Sequence, residues 1–229
     1  CRLKKDGESV MVENGILSDH AKKMIAGILT LSSALTAFGN TIPTSYLRLV
    51  PHQEAPTNIC WGDRNRSVLV RVPLGWLGNA SEMISKVNPL EEVVDRDFSS
   101  KQTVEFRCPD GSADIYLLMA GLAVATRYGF EMPDALDVAE KLYVGVNIFD
   151  EKNKAVCRKL KQLPASCSES ADKLMELATA FTAKDVFTQR NIESIAAELK
   201  KYNDADLSEN LYGKNNEIMD LVYKYLHYA

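Results

Sequence analysis

The order of predicted elements along the 229-residue chain indicates an α+β protein. Segments with the period-2 pattern of strands lie at 67–72 and 103–107, and segments with helical patterns dominate from residue 111 onward. We therefore expect a partial antiparallel sheet and one long helix within residues 1–110, followed by a helix-rich half over 111–229. The composition, 46% hydrophobic and 25% charged, is typical of a globular chain.

The first long helix is predicted after a turn and a short strand near residues 6–12. Ser18 can cap its N-terminus, and Gly39 lies where a helix usually stops. Between these two residues, apolar side chains recur at spacings of three and four, or sums of these: Ala21, Met24, Ile25, Ile28, Leu29 and Leu35. From residue 40 to 56 we expect irregular chain, because three prolines interrupt it.

The two predicted strands each carry charged residues on one face. In 67–72 the valines share a face and Arg71 lies on the other. In 103–107 Glu105 and Arg107 lie side by side on one face, opposite two apolar residues. These three charged side chains are therefore expected to be at least half-buried.

The connector between the strands, 74–101, is long, and a short helix is predicted within it at 81–86. After the second strand, from Pro109-Asp110-Gly111 onward, helices are predicted to the end of the chain, the first running to about Tyr128. The residues expected at or near their starts are Ser112, Pro133, Ser168 and Ser208.

Charge and hydropathy exclude two classes of partner. The chain has 27 basic and 31 acidic residues, a net charge of −4, so non-specific binding to nucleic acid has no electrostatic support. The longest uninterrupted apolar stretch, 115–125, is too short to cross a bilayer, and the first residues lack the apolar core of a secretory signal. We expect neither a nucleic-acid partner nor a membrane anchor.

The cysteines and histidines indicate a reducing compartment. The five cysteines are odd in number and form no CxxC pair, which argues against a disulfide framework or a zinc site. The three histidines, His20, His52 and His227, are too far apart in the sequence to suggest a metal site. A cytoplasmic location is expected.

Arginine is concentrated in one stretch of the chain. Of ten arginines, six lie between residues 48 and 107, and no lysine occurs from residue 24 to residue 85. The guanidinium group binds carboxylate and phosphate in a planar, bidentate manner, which distinguishes it from lysine. Composition alone leaves two interpretations open: a site for anions, or a set of ion pairs with Glu54, Asp63 and Glu105.

The strand positions favour the anion site. Arg71, Glu105 and Arg107 lie beside apolar residues, where an unpaired charge is costly. If both strands belong to one sheet, arginines can hold phosphate and Glu105 can hold a cation, which is the arrangement that phosphoryl transfer needs. No GxGxxG or GxxxxGK loop is present, so a nucleotide would be bound by the sheet and its arginines.

Five motifs, in order, closely resemble those of the glutamine synthetase family. They are Ser45-Tyr46-Leu47-Arg48-Leu49-Val50-Pro51, Glu54-Ala55-Pro56, Asn65-Arg66-Ser67, Arg71-Val72-Pro73 and Val104-Glu105-Phe106-Arg107-Cys108-Pro109-Asp110. The specific similarity extends from about Lys5 to Tyr128, and the last hundred residues are compatible with the family. The resemblance implies an ATP-dependent glutamate–ammonia ligase that phosphorylates the γ-carboxylate of glutamate before ammonia displaces the phosphate. It also implies Mg²⁺ or Mn²⁺ as cofactor, ATP as a substrate, and a homo-oligomer with shared active sites.

The resemblance assigns glutamate binding to four residues. Arg48, Arg66 and Arg107 match arginines that bind glutamate, and Arg66 also matches a contact to ATP. Glu54 matches the flap glutamate, which binds the substrate, shields the acyl phosphate and helps to deprotonate ammonium. Glu54 and Arg66 are therefore the catalytic residues that the resemblance implies.

The resemblance assigns ATP binding to Arg71 as well, and a divalent metal to Glu105. Among the departures from the family pattern, two lie near these residues. Thr103 stands two positions before Glu105, where a basic residue usually lies, so the sequence lacks the residue type that makes one of the family's contacts to ATP. The 74–101 connector is longer than usual, and we interpret it as a surface insertion or a subunit contact.

The family's small N-terminal β domain and its other metal ligands lie upstream of the matched region. We therefore expect the chain to be the C-terminal portion of a glutamine synthetase catalytic domain, inactive by itself. Two alternatives remain: a γ-glutamyl ligase for another amine, and a non-catalytic assembly or anion-binding module of the same fold. The presence of Glu54, Glu105 and the matching arginines counts against the second alternative.

Overall fold

The computed structural model describes residues 1–49, 56–73, 85–90 and 99–227. Within these ranges small sheets occupy the first half and helices dominate the second, which confirms the α+β prediction. The predicted flap residue Glu54 and most of the helix predicted at 81–86 lie outside the described residues, although residues 85–87 are helical.

The predicted long helix is α1, Asp19–Gly39. Ser18 caps it as expected: its Oγ accepts a hydrogen bond from the Ala21 amide at 3.1 Å and donates one to the Val10 carbonyl at 2.5 Å. Most of α1 is buried, because other elements pack around several of its faces. After α1, the short helix α2, Pro43–Tyr46, begins at a proline, so the expectation of irregular chain from residue 40 was wrong there.

The helix α3, Ile115–Glu131, packs against α1 at very short range. A Cβ atom added to Gly27 would lie 2.0 Å from the Ala125 carbonyl oxygen, and one added to Gly129 would lie 2.0 Å from the Lys23 carbonyl oxygen. The two helix backbones therefore touch, and this approach requires glycine at both positions.

The N-cap predicted for α3 was wrong by two residues. Asp114 is the cap, and its carboxylate accepts hydrogen bonds from the amides of Tyr116 and Leu117, both at 3.0 Å. Ser112 instead accepts a hydrogen bond from the Thr41 amide at 3.0 Å, and so joins the start of α3 to the end of α1. The Ser112 hydroxyl, which the sequence pattern assigned to the cap, thus makes a longer-range contact with Thr41 instead.

The chain begins with two small antiparallel hairpins. The first pairs β1, Lys4–Lys5, with β2, Glu8–Ser9, and the second pairs β3, Val12–Glu13, with β4, Ile16–Leu17. Each turn is a two-residue turn with positive φ at both positions, which is the type I′ pattern of Asp-Gly and Asn-Gly.

The principal sheet consists of β5, Trp61–Asp63, β6, Val70–Val72, and β7, Glu105–Phe106, in that spatial order. The β6–β7 pair is antiparallel and the β5–β6 pair is parallel, so the sheet is mixed. Both predicted strands are present but shorter than expected. The pattern did not predict β5, which contains Gly62 and has no apolar alternation.

The second half of the chain is helical, as predicted. Its further helices are α4, Ala135–Lys141; α5, Lys154–Cys157; α6, Cys167–Glu176; α7, Ala178–Thr182; α8, Gln189–Lys200; α9, Leu207–Asn210; and α10, Asn215–Tyr225.

Three of the predicted helix starts differ slightly from the structure. Ser166, not Ser168, caps α6 by accepting a hydrogen bond from the Glu169 amide at 3.0 Å. Pro133 lies two residues before the first residue of α4, and Ser208 is the second residue of α9. Local residue type located each helix to within two residues, and at α6 the hydrogen bond to the Glu169 amide identifies the cap.

The main core surrounds α1 and joins it to α3, α6, α8 and the principal sheet. Phe38 stacks on Phe187 at 5.2 Å between ring centroids and meets the edge of Phe181 at 5.5 Å. A second, smaller apolar cluster lies beneath the start of β6 and contains Cys60, Val68, Val144 and Ile148. Within the described ranges, no helix is both long enough and apolar enough to cross a bilayer.

Candidate active site

The centre of the candidate site is an ion pair on the principal sheet. Arg71 on β6 lies directly opposite Glu105 on β7, because the antiparallel register aligns these two residues. The distance from Arg71 Nη2 to Glu105 Oε2 is 2.5 Å. Arg107 Nε lies 3.7 Å from the other oxygen, Glu105 Oε1. The prediction that these strands bring the three charges together is confirmed.

Arg107 also holds the turn that carries Arg66. Its Nη1 donates a short hydrogen bond to the Arg66 carbonyl and a second one, of 3.3 Å, to the Val68 carbonyl. The Arg66 side chain itself is exposed, and none of the described carboxylates pairs with it. Within the part of the chain that the structure describes, Arg66 is therefore fixed through its backbone, and its guanidinium group is exposed.

The charges of the cluster act on one another. Burial lowers the pKa of the Arg107 guanidinium from its ordinary value. The positive charges of Arg71, Arg66 and Arg48 lower this pKa further, whereas the negative charge of Glu105 raises it. The other three predicted arginines are thus close enough to Arg107 to affect its charge, and Glu105 is the carboxylate shown among them.

Arg48 lies at the edge of this cluster. Its Nη2 donates a hydrogen bond of 2.5 Å to the carbonyl of Cys108, just after Arg107 in the chain. It lines a cavity of about 410 Å³ together with Asp110 and residues of α10, whereas Arg66 and Arg107 line a different cavity. The described residues therefore bring Arg48 near the other arginines but not into the same cavity.

The cavity of Arg66 and Arg107 is open and has a volume of about 680 Å³. Its lining consists of Asp63, Arg64, Asn65, Arg66, Ser67, Arg107, Gly145, Asn147 and Phe149. Three arginines face one aspartate, so its charge suits an anionic ligand.

Sequence reasoning missed the three cavity residues that follow α4, namely Gly145, Asn147 and Phe149. They lie in a loop without apolar periodicity, and only tertiary contacts bring this loop to the turn at 64–67. Arg64 is one of the six arginines between residues 48 and 107, and the resemblance assigns it no role. Its positive φ of 55° is uncommon for a residue other than glycine, and such residues concentrate at functional sites.

The described residues do not by themselves form a site for a divalent cation. Among them, no group of three or more His, Cys, Asp or Glu side chains could hold a metal ion. Glu105 is the carboxylate that the resemblance assigns to the metal, and its two oxygens face Arg71 and Arg107. Since Mg²⁺ and Mn²⁺ need several oxygen ligands, the others would have to come from outside the described residues.

A comparison with protein families decides which family has these features. The model of the glutamine synthetase catalytic domain matches residues 2–212. The chain belongs to this family. The match extends well beyond the 5–128 region of specific resemblance, so the helices from α4 to α9 are part of the family's domain as well, whereas α10 lies beyond the matched residues.

Curated glutamine synthetases resemble the chain over most of its length. The enzyme of Thermococcus kodakarensis is 36% identical over 174 residues, which is 75% of this chain and 33% of that protein. The enzyme of Frankia alni is 34% identical over 211 residues, which is 89% of this chain and 38% of that protein. The chain thus spans about a third of the length of these relatives.

A solved structure supports the same fold. The chain is similar to Plasmodium falciparum glutamine synthetase with a TM-score of 0.62 and 22% sequence identity. The similarity covers 89% of this chain and 43% of that one. At this level of identity the likeness concerns the fold alone.

Proposed function

We propose that this chain supplies arginines and a carboxylate to the active site of an ATP-dependent glutamate–ammonia ligase. The observation that carries the proposal is the cluster in which Arg71 and Arg107 flank Glu105 while Arg107 holds the turn of Arg66. A phosphoryl-transfer site needs such a concentration of preorganised positive charge. The natural protein or assembly that contains this chain is called the holoenzyme below.

The proposed reaction has two steps. An oxygen of the glutamate γ-carboxylate attacks the γ-phosphorus of ATP, and ADP leaves. Ammonia then attacks the acyl carbon of γ-glutamyl phosphate, and inorganic phosphate leaves with the carboxylate oxygen that had attacked. The products are glutamine, ADP and phosphate. In this reaction the arginines neutralise the negative charge of glutamate and of the phosphoryl group that is transferred.

Each predicted residue has a role in this proposal. Arg66 and Arg107 bind the anionic substrate in the 680 Å³ cavity that they share, and Arg48 holds a carboxylate of glutamate nearby. Arg66 also contacts the transferring phosphate of ATP. Glu54 accepts a proton from ammonium and keeps water from the acyl phosphate.

Arg71 and Glu105 belong to the nucleotide side of the proposed site. Arg71 binds ATP, and its Nε is a buried donor without a hydrogen-bond partner among the described residues. Glu105 contributes one ligand to Mg²⁺ or Mn²⁺, which neutralises phosphate charge when bound. By resemblance, the family's other metal ligands lie upstream of the region that this chain matches, so we expect the 229 residues alone to lack activity. A cytoplasmic homo-oligomer with shared active sites completes the proposal.

Glutamine formation tests the proposal. The holoenzyme should convert glutamate, ammonium and ATP into glutamine, and Arg66→Gln should lower kcat/KM for glutamate by about 10-fold to 100-fold, as expected for a lost charge-assisted hydrogen bond. Arg190→Gln is the matched control, because Arg190 is an exposed arginine of α8 far along the chain from the site. If the holoenzyme phosphorylated glutamate but coupled it to an amine other than ammonia, it would be a different γ-glutamyl ligase. If the holoenzyme showed no ATP-dependent reaction of glutamate, the proposal would be contradicted.

A further inference from the structure

The side-chain amide of Asn65 has all of its hydrogen-bonding capacity occupied. Its Nδ2 donates to the carbonyls of Val144, at 3.0 Å, and Val146, at 2.8 Å. Its Oδ1 accepts from the amide of Ser67 at 2.9 Å and from the Ser67 hydroxyl at 2.7 Å. An amide offers two donors and an acceptor with two lone pairs, so no capacity is left for a ligand.

Ser67 extends this network to a third point on the same loop. Its buried Oγ accepts a hydrogen bond of 3.2 Å from the amide of Ile148 while it donates to Asn65. The segment 144–148 is therefore fastened to the 65–67 turn at Val144, Val146 and Ile148. Each of these hydrogen bonds passes through a side chain of the turn.

The sheet holds the other side of the 144–148 segment. The Val144 amide donates to the Trp61 carbonyl at 2.8 Å, which adds the segment to the edge of β5. At Gly62 an added Cβ would lie 2.4 Å from the Val144 carbonyl oxygen, so the loop backbone lies against the strand backbone. The 144–148 segment is thus held on one side by β5 and on the other by the 65–67 turn.

Arg66 lies between the two residues that make these contacts. Asn65 and Ser67 fix the backbone before and after it, and Arg107 donates to its carbonyl. The backbone direction at residue 66 sets where the exposed guanidinium group projects into the cavity. Nothing else among the described contacts holds the Arg66 side chain itself.

We propose that Asn65 is a positioning residue for Arg66. It does not touch the substrate, but its amide clamps the 65–67 turn onto the 144–148 segment and so aims Arg66 into the cavity. This inference rests on the proposed function, because it assumes that Arg66 binds the reacting substrate. A misplacement of about 1 Å at such a group can cost about 100-fold in rate.

A double-mutant cycle separates positioning from general structural support. In the holoenzyme, Asn65→Ala should lower kcat/KM for glutamate by about 10-fold to 100-fold. In an Arg66→Gln background the same substitution should lower it by less than about twofold, since Arg66 has already been removed. An equal loss in both backgrounds would mean that Asn65 supports the fold generally, and would overturn the proposal.

Two further variants make the result specific. Ser67→Ala removes only the hydroxyl that links Asn65 to Ile148, so it should give a smaller loss that likewise disappears in the Arg66→Gln background. Asn153→Ala is the matched control, because its Nδ2 also donates to a carbonyl of this loop, that of Asn147, at 2.8 Å. It makes no described contact with the turn and should leave kcat/KM within about twofold.

Hydrogen exchange keeps the two proposals distinguishable. If the holoenzyme forms no glutamine, the proposed function fails, and the clamp is tested by the exchange of backbone amides in the same protein. Asn65→Ala should then speed exchange at the amides of Ser67 and Ile148 at least tenfold, with the amides of α1 unchanged. Unchanged exchange at Ser67 and Ile148 would overturn the clamp itself.

Discussion

At the scale of single residues, Glu105 is the point where opposing charges meet. Its carboxylate is less than half exposed and faces both Arg71 and Arg107. In the structure Arg71 and Arg107 pair with Glu105, so the ion-pair interpretation applies to these two arginines. Arg66 has no carboxylate partner among the described residues, and anion binding at this position stays a prediction.

We predict that Arg71→Lys impairs the use of ATP more than the retained charge suggests. The guanidinium group can contact Glu105 and a phosphate simultaneously in a planar geometry, and an ammonium group provides only a point charge. The loss of one charge-assisted hydrogen bond is worth about 1.5–3 kcal/mol, which corresponds to roughly 10-fold to 100-fold in kcat/KM for ATP. The measurement is the steady-state kinetics of the holoenzyme with ATP varied. An unchanged kcat/KM would restrict Arg71 to the ion pair with Glu105.

We predict that Glu54→Ala uncouples the two half-reactions. In the proposed reaction the Glu54 carboxylate attracts ammonium, accepts its proton and helps to exclude water, whereas formation of the acyl phosphate depends on the arginines. The variant should still consume ATP but lose γ-glutamyl phosphate to water. The ratio of glutamine formed to ATP consumed should fall clearly below one at saturating glutamate. If both rates fell together at a ratio near one, Glu54 would support the site generally.

The sequence predicted that three charged residues of the two strands lie together, but not how the arginines divide among cavities. Arginine enrichment and strand alternation placed Arg71, Glu105 and Arg107 together, and the structure agrees. The roles of Asn65 and of the 144–148 loop could not be predicted, because the two segments are about 80 residues apart in the chain. Their contact depends on the fold of the intervening helices and carries no local pattern.

At the scale of elements, the contact between α1 and α3 is the most constrained packing in the structure. The two helices approach at Gly27 and Gly129 so closely that a side chain at either position would overlap a backbone oxygen. The sequence predicted α1 and both its ends from capping and periodicity. It did not predict this crossing, because a glycine within a helix has no pattern that identifies its partner.

We predict that Gly27→Ala strongly destabilises the fold. The new methyl group would lie 2.0 Å from the Ala125 carbonyl oxygen, so one helix must move. Overpacking costs about 1–3 kcal/mol or more, and each kcal/mol lowers the Tm of a domain of this size by about 2–4 °C. Gly111→Ala is the control, because no heavy atom lies within 4 Å of its added Cβ. Thermal unfolding of both variants tests the contact, and equal Tm values would contradict it.

At the scale of the whole molecule, the burial of the thiols reports whether the domain is folded as described. Burial raises the pKa of Cys60 to about 11 and that of Cys108 to about 12, and Cys167 is also buried with a raised pKa. Cys1 is exposed and Cys157 is partly exposed. The sequence indicated free thiols but not which ones the fold covers.

We predict that Cys1 and Cys157, two of the five cysteines, react quickly with a thiol reagent at pH 8 because they are exposed or partly exposed. The thiolate is the reactive form, and a pKa several units above 8 leaves Cys60 and Cys108 almost wholly protonated as well as covered. Raising the pH toward these pKa values should increase the thiolate fraction of Cys60 and Cys108, but their reaction should stay slow because the reagent cannot reach buried thiols. Mass spectrometry of the labelled protein gives the sites. Rapid labelling of Cys108 in the folded protein would contradict the described packing.

The family match extends over residues 2–212, yet the chain spans about a third of the length of its curated relatives. Among the described residues, the arginine cluster contains one carboxylate, and no group of three or more potential metal ligands occurs. Phosphoryl transfer from ATP depends on bound cations. If, as we propose, the other metal ligands lie in the part of the holoenzyme outside this chain, a preparation of these 229 residues alone should form no glutamine, whereas the holoenzyme should.

The fate of the carboxylate oxygen tests the central claim most directly. Glutamate labelled with ¹⁸O in its γ-carboxylate should be supplied to the holoenzyme with ammonium and ATP. If the reaction passes through γ-glutamyl phosphate, each inorganic phosphate should carry one ¹⁸O atom, because ammonia displaces the phosphate together with the attacking oxygen. The rate at which this labelled phosphate forms should fall with Arg66→Gln. Phosphate without ¹⁸O, formed as fast without glutamate as with it, would contradict the proposed chemistry.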